Sequence, residues 1–200
     1  MNASRFQQPD WERRYVENDL PWDRGEPCAQ FGAWLEAGQL ADGPVLVPGC
    51  GLGHEVVQLC RQGFDVTAID LAATAISRLG EALEREQLAP RATLIQGDFL
   101  EFTAKGCFAT VYEQTSLCAV SPDRWTEYAE RLAACLRPDG VLLALFMQTG
   151  RDGGPPWHCD LLAMQRLFRP PTWSWRELGN PADHPNGLRE LPAVLVRGHS

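Results

Sequence analysis

The stretch VLVPGCGLGHE, residues 45–55, carries an apolar run into a turn holding Gly49, Gly51 and Gly53, and then into a segment of helical pattern. A glycine-rich turn between a strand and a helix lets the backbone approach a nucleotide closely, so the question is which nucleotide suits this one. A P-loop needs a lysine after its last glycine, and none follows here. The dinucleotide fingerprint G-x-G-x-x-G would place its third glycine at position 54, which is His54. That match is partial.

Outward from the turn, extended and helical patterns alternate. PVLVP (44–48) reads as a first strand and HEVVQLCRQG (54–63) as a helix closed by Gly63. FDVTAID (64–70) is a second strand, followed by a helix over 72–88 with Ala75, Ile76, Leu79 and Leu83 at helical spacing. ATLIQGD (92–98) and CFATVYE (107–113) are the third and fourth strands. A long amphipathic helix covers 122–137 and ends at the Pro138-Asp139-Gly140 turn. GVLLALFM (140–147) is apolar on both faces, as a strand covered by helices on both sides must be. DLLAMQRLF (160–168) reads as a helix, and TWSWREL (172–178) and ELPAVLVRG (190–198) as strands able to form an antiparallel hairpin on the sheet edge. This alternation predicts an α/β fold: a mostly parallel seven-stranded sheet with helices on both faces and an antiparallel strand at the C-terminal end. With no repeat or linker, residues 1–200 are expected to form a single domain, an N-terminal arm over 1–40 followed by a core over 44–200.

Charge narrows the ligand. The net charge is −8 and Lys105 is the only lysine, so a nucleic-acid partner, which needs a basic patch, is not expected. No apolar run reaches the length of a membrane span. The opening residues MNASRFQQPDWERRY lack the apolar region of a secretory signal, and the seven cysteines form no CxxC pair. A cytoplasmic protein with reduced thiols and no metal centre is expected, with no patch or heptad arguing for assembly beyond a monomer. Glu55 sits in the first turn of the helix after the glycines, and Asp70, Asp98 and Glu113 end the next three strands. In an open α/β sheet the ligand lies outside the carboxyl ends of the strands, where these acids gather. A pyrophosphate would be repelled there. A ligand with an ammonium, a sulfonium and a ribose diol would be welcome, which describes S-adenosylmethionine. Asp70, 21 residues beyond Gly49, stands where an acid binds ribose hydroxyls in nucleotide folds. Asp98-Phe99 offers a carboxylate for an exocyclic amine beside a ring that can stack on adenine.

PWDRG (21–25), VPGCGLGHE (47–55), AIDLAATAI (68–76), GDF (97–99), YEQTSLCAVSP (112–122), LRPDGVLLALF (136–146) and GGPPW (153–157) together resemble the thiopurine S-methyltransferase family, and are nearest its thiol and halide methyltransferase branch. The resemblance runs from about Trp11 to Leu195. It implies a Rossmann-like class I methyltransferase that uses S-adenosylmethionine without metal. On the matching positions it implies that Trp11, Tyr15 and Trp22 belong to an arm over the cofactor. Gly49 and Gly51 would lie under its methionine portion, Asp70 on the ribose, Asp98 and Phe99 at the adenine, and Glu113 near the methionine amine. Tyr15 stands where the family usually has tryptophan. Gln114 stands where the thiopurine branch often has arginine and the halide branch tyrosine.

The implied reaction is an in-line displacement in which the protein's work is to align the acceptor behind the methyl carbon. Gln114 and Trp157, in loops at the same mouth, are the candidate residues for handling the acceptor. A thiol, sulfide, selenium or tellurium species, or halide needs no obligatory general base, because a thiol is already a few per cent ionised near neutrality. An oxygen or nitrogen acceptor, a non-catalytic S-adenosylmethionine-binding module and a dinucleotide oxidoreductase are the competing readings.

Overall fold

The computed structural model describes residues 9–199. Five strands of the glycine-turn half and its sequel are β1 (Val45–Pro48), β2 (Val66–Asp70), β3 (Ala92–Gln96), β4 (Phe108–Gln114) and β5 (Leu136–Gln148). They pair in the order β3-β2-β1-β4-β5, all parallel. Beyond β5 the sheet turns antiparallel through β8 (Arg189–Arg197) and ends at β6 (Trp173–Leu178). A two-residue β7 (Ala182–Asp183) adds to β8 and makes the sheet eight-stranded, one more than the sequence pattern predicts.

The C-terminal strands β6 and β8 form the expected antiparallel pair at the edge of the sheet. β8 lies inside, between β5 and β6, and the reason is burial. Its residues Glu190–Leu195 are all buried, so both faces need cover, whereas β6 alternates and loses its cover towards its end. A strand apolar on both sides takes the central place and the half-polar one takes the edge. The chain break between helix and strand also shifts. The helix over 125–135 stops at Cys135, and β5 starts at Leu136, with the predicted Pro138-Asp139-Gly140 turn built into it as a kink (Asp139 φ 60°).

The α-helices among the described residues are α1 (Trp11–Glu17), α2 (Ala29–Glu36), α3 (His54–Arg61), α4 (Ala73–Arg85), α5 (Trp125–Cys135) and α6 (Leu161–Leu167). Strand alternation sorts the core into two layers. Val45, Val47, Leu143 and Val194 pack with Phe31, Val56, Leu59 and Leu79 of α2, α3 and α4. Leu46, Val111, Leu142 and Phe146 pack with Tyr128, Leu132 and Met164 of α5 and α6. Each fully buried leucine or phenylalanine contributes about 1.5–3 kcal/mol, which is why these strands are apolar on both sides.

The arm is folded rather than loose. The N-cap of α4, Ala72, has no side chain able to cap, and α1 supplies a cap from 62 residues upstream. Glu12 accepts from the Thr74 backbone N–H at 3.0 Å and from its hydroxyl at 2.5 Å, so its carboxyl is held below the usual carboxylate range by these bonds. Arg78 donates to Asn18 at the other end of α1. A carboxylate at a helix start satisfies orphan N–H groups and complements the dipole. Replacing Glu12 by alanine is therefore expected to speed amide exchange throughout α1 at least tenfold while the β1–β5 amides keep their protection; unchanged exchange in α1 would show that the latch is idle.

Candidate active site

The strand order reverses at β1, between β2 and β4, and the crevice beyond the carboxyl ends at that point is where ligands bind in such sheets. A cleft of about 490 Å³ opens there, within the size range of small-molecule sites. Its floor is the turn after β1. Gly49 and Gly51 have φ of 60° and 55°, in the left-handed region. A Cβ on Gly49 would stand 2.6 Å from the Ser116 hydroxyl, and one on Gly51 would stand 2.9 Å from the Tyr15 hydroxyl. Glycine is required twice over, by conformation and by space.

Asp70 holds this turn. Only 8% exposed, its Oδ2 accepts from the Gly51 N–H at 2.8 Å and its Oδ1 from the Ala72 N–H at 2.9 Å. Burial pushes its carboxyl up, and these two N–H groups pull against that shift. The same carboxylate shapes the turn and borders the cleft. Asp98, on the next loop, accepts from the Leu100 N–H at 2.9 Å and lies 3.9 Å from Arg124. Phe99 forms a buried wall, edge-on to Tyr128 with centroids 5.0 Å apart.

The arm roofs the cleft. Trp22 meets Trp11 and Tyr15 edge-to-face at 5.6 and 6.0 Å, and Arg14 stacks 4.7 Å above the Trp22 ring. The loop after Trp22 is clasped on both sides. Asp23 pairs with His54 Nε2 at 2.8 Å, and the Arg24 guanidinium donates to Glu190 Oε2 at 3.0 Å and to the Asp183 carbonyl at 2.8 Å. Gln114 donates from its amide to that same Glu190 oxygen at 2.9 Å and accepts from the Tyr112 hydroxyl at 2.6 Å.

Trp11, Tyr15, Trp22, Gly49, Gly51, Asp70, Asp98, Phe99 and Gln114 thus all line one cleft. Glu113 and Trp157 differ from expectation and do not. Glu113 is 2% exposed and turned into the protein, where it accepts from the Leu117 N–H at 2.7 Å and braces the turn after β4. Trp157 packs against the α5–α6 core layer, its backbone N–H bonded to the Cys118 carbonyl, and the cleft wall at that loop is made by Pro155 and Pro156. Glu55 has a structural partner as well, accepting from the Cys28 N–H at the start of α2. Sequence reading missed Glu190, Arg24 and His184. Glu190 and His184 lie over 150 residues from Arg24, and only the PWDRG motif hinted that Arg24 mattered.

Six carboxylates border the cleft (Asp23, Glu26, Glu55, Asp70, Asp98, Asp123) against three guanidinium groups. Those three are engaged: Arg14 with Asp19, Arg24 with Glu190, Arg124 with Glu127. The balance favours a cationic ligand over a phosphate. Among the described residues no cluster of three or more His, Cys, Asp or Glu could hold a metal, and no helix is long and apolar enough to cross a membrane.

Sequence comparison agrees with this geometry. Residues 6–191 match the profile of the family Thiopurine S-methyltransferase (TPMT). The chain belongs to that family. A probable thiol methyltransferase 2 of Arabidopsis thaliana is 29% identical over 161 residues, which cover 80% of this chain and 71% of that protein. A thiopurine S-methyltransferase of Pseudomonas paraeruginosa is 31% identical, covering 74% of this chain and 75% of that one. The fold is that of class I methyltransferases. A Burkholderia thailandensis 1,6-didemethyltoxoflavin-N1-methyltransferase, solved with S-adenosylhomocysteine, superposes with a TM-score of 0.76 at 20% identity, over 93% of this chain and 84% of that one. The chain is accordingly an S-adenosylmethionine-dependent methyltransferase, and its acid-rimmed, aromatic-roofed cleft fits that cofactor.

Two buried carboxyls make the protein's stability pH-dependent in an unusual sense. Burial pushes Glu113 and Glu190 up to about 7, helped at Glu113 by the charge of Glu190 and at Glu190 by that of Glu55. Their native pKa values exceed the unfolded ones, so between about pH 4.5 and 7 the native state binds more protons and stability falls as pH rises. The unliganded protein is expected to be more stable at pH 5.5 than at pH 8, by on the order of 3 kcal/mol for the pair. Urea denaturation at the two values measures this, and Glu113→Gln should flatten the dependence; equal stability at both would show that these carboxyls are ionised throughout.

Proposed function

We propose that this methyltransferase acts on a small, soft nucleophile: a thiol, a sulfide, a selenium or tellurium species, or a halide. The observation that carries the reading is the wall around Gln114. It combines a neutral amide with both ends tied, two sulfur side chains (Cys118 and Met147) and two prolines. Polarisable, weakly polar walls suit a soft acceptor with little hydration to lose. The relatives named for thiol and thiopurine acceptors support the sulfur part of the range.

In this reading Asp70 receives the ribose hydroxyls on the lone pairs its backbone bonds leave free. Asp98 and Phe99 take the adenine, Gly49 and Gly51 pass under the methionine portion, and the Trp11–Tyr15–Trp22 cluster closes over it. The cofactor, when bound, supplies an electrophilic methyl on sulfur. The chain's own residues orient the acceptor in line, exclude water with the aromatic roof, and place rings near the positive sulfur, worth about 0.5–2 kcal/mol for a cation–π contact. Gln114 touches the acceptor. Trp157 and Glu113 work at one remove, by holding Pro155–Pro156 and the 114–117 turn. Seven free cysteines fit a reducing compartment, and we infer a cytoplasmic monomer with no nucleic-acid partner.

Labelled S-adenosylmethionine offered with a panel of thiols, iodide, selenite and tellurite should yield methylated thiols at the least. Gln114→Met, of similar volume, is expected to raise the acceptor KM about tenfold, or about 1.4 kcal/mol, and to leave S-adenosylhomocysteine affinity within twofold. No product across the panel, with cofactor binding intact, would contradict the reading.

A further inference from the structure

His184 is 4% exposed and forms part of the cleft wall, yet neither the resemblance nor the roles above use it. It sits in the tight connection between β7 and β8, beside Asp183, whose carbonyl accepts from Arg24. Arg24 and Gln114 share the Glu190 carboxylate oxygen, so the connection is tethered to the Gln114 end of the cleft.

The tautomer of His184 follows from its partner. Nδ1 lies 2.7 Å from Asn186 Oδ1, an oxygen that also accepts from the Leu188 N–H at 3.2 Å. A carbonyl oxygen cannot donate, so Nδ1 carries the hydrogen and Nε2 keeps its lone pair. Nε2 is buried with no hydrogen-bond partner among the described residues. A buried acceptor left unsatisfied is costly and calls for a reason. Burial lowers the pKa of the imidazole, the Asn186 hydrogen bond opposes that shift and the nearby Arg24 charge adds to it, so the ring is neutral near pH 7 and its Nε2 lone pair is free of a proton. The other imidazole at the cleft, His54, is already paired with Asp23.

We propose that His184 Nε2 takes the proton of an acceptor that arrives as an un-ionised thiol. This rests on the soft-nucleophile reading and deepens it. The S–H bond breaks as the Nε2–H bond forms, and the freed sulfur pair bonds to the methyl carbon. The pair of the broken carbon–sulfonium bond stays on the donor sulfur, which departs as a neutral thioether. The imidazolium then releases its proton to water. Atoms and charge balance without another reagent. An acceptor that is already an anion has no proton to lose and needs no such help.

That difference is the test. Two thiols are compared at pH 7: benzyl mercaptan, un-ionised there, and 4-nitrothiophenol, already a thiolate. For His184→Gln, kcat/KM for benzyl mercaptan is expected to fall at least tenfold, with 4-nitrothiophenol within twofold. The small preformed thiolate fraction, below the few per cent of a cysteine thiol, sets the ceiling on the loss. Raising the pH towards 9 should restore the variant by ionising the substrate. Calorimetric titration with S-adenosylhomocysteine reports whether the variant is folded. Asn186→Ala, at an exposed residue, releases the tautomer without touching the core and should reproduce a smaller loss for benzyl mercaptan alone. Equal losses for both thiols, or no loss for benzyl mercaptan in either variant, would overturn the proposal and leave the acceptor class standing. Failure of the wild-type chain to methylate either thiol would sink both.

Discussion

The Asp70 carboxylate joins the sheet to the cleft. Its two oxygens take the N–H groups of Gly51 and Ala72, so one side chain at the end of β2 sets the turn after β1 and the entry to α4. Leaving two such donors unsatisfied would cost on the order of 2–6 kcal/mol, a large part of the stability of an ordinary domain. The same turn leaves no room for a side chain, because a Cβ on Gly49 or Gly51 would collide with Ser116 or Tyr15. The geometry of the turn and the lining of the cleft meet at this residue. A substitution there tests both at once.

Around that point the chain keeps acids at the cleft and commits its cations elsewhere. Arg14, Arg24 and Arg124 border the cleft, but each is held by a carboxylate. Engaged cations leave the local field negative, which suits a sulfonium and an ammonium and opposes a pyrophosphate. The arm uses the same economy of charge. Glu12 caps α4, Asp23 meets His54 and Arg24 meets Glu190, so the roof is fastened by three polar contacts to three separate elements.

Much of this was legible in the residue order. Apolar alternation located all of the longer strands, and the spacing of Asp70 from Gly49 found the carboxylate that matters most. Of the four acids read as a rim, Glu55, Asp70 and Asp98 border the cleft. Glu113 was misleading because a strand-end position specifies the element and not the direction of the last side chain, which here turns inward to Leu117. Trp157 lies behind two prolines for a similar reason: the loop, not the ring, faces the cleft. Local pattern does not rank the last two strands within the sheet, although the unbroken apolar run of β8 carries the information that it lies inside β6. Contacts such as Arg24–Glu190 and Glu12–Thr74 join distant segments, and no spacing rule reaches across 166 or 62 residues.

A cleft rimmed by six carboxylates suits a cationic, phosphate-free nucleoside. Competitive calorimetry on the wild-type chain tests it most directly, titrating S-adenosylhomocysteine and S-adenosylmethionine in the presence and absence of NAD. The expected result is one saturable site for each sulfur nucleoside, with heats unchanged by millimolar NAD. Displacement of S-adenosylhomocysteine by NAD, or binding of NAD alone in that cleft, would contradict it.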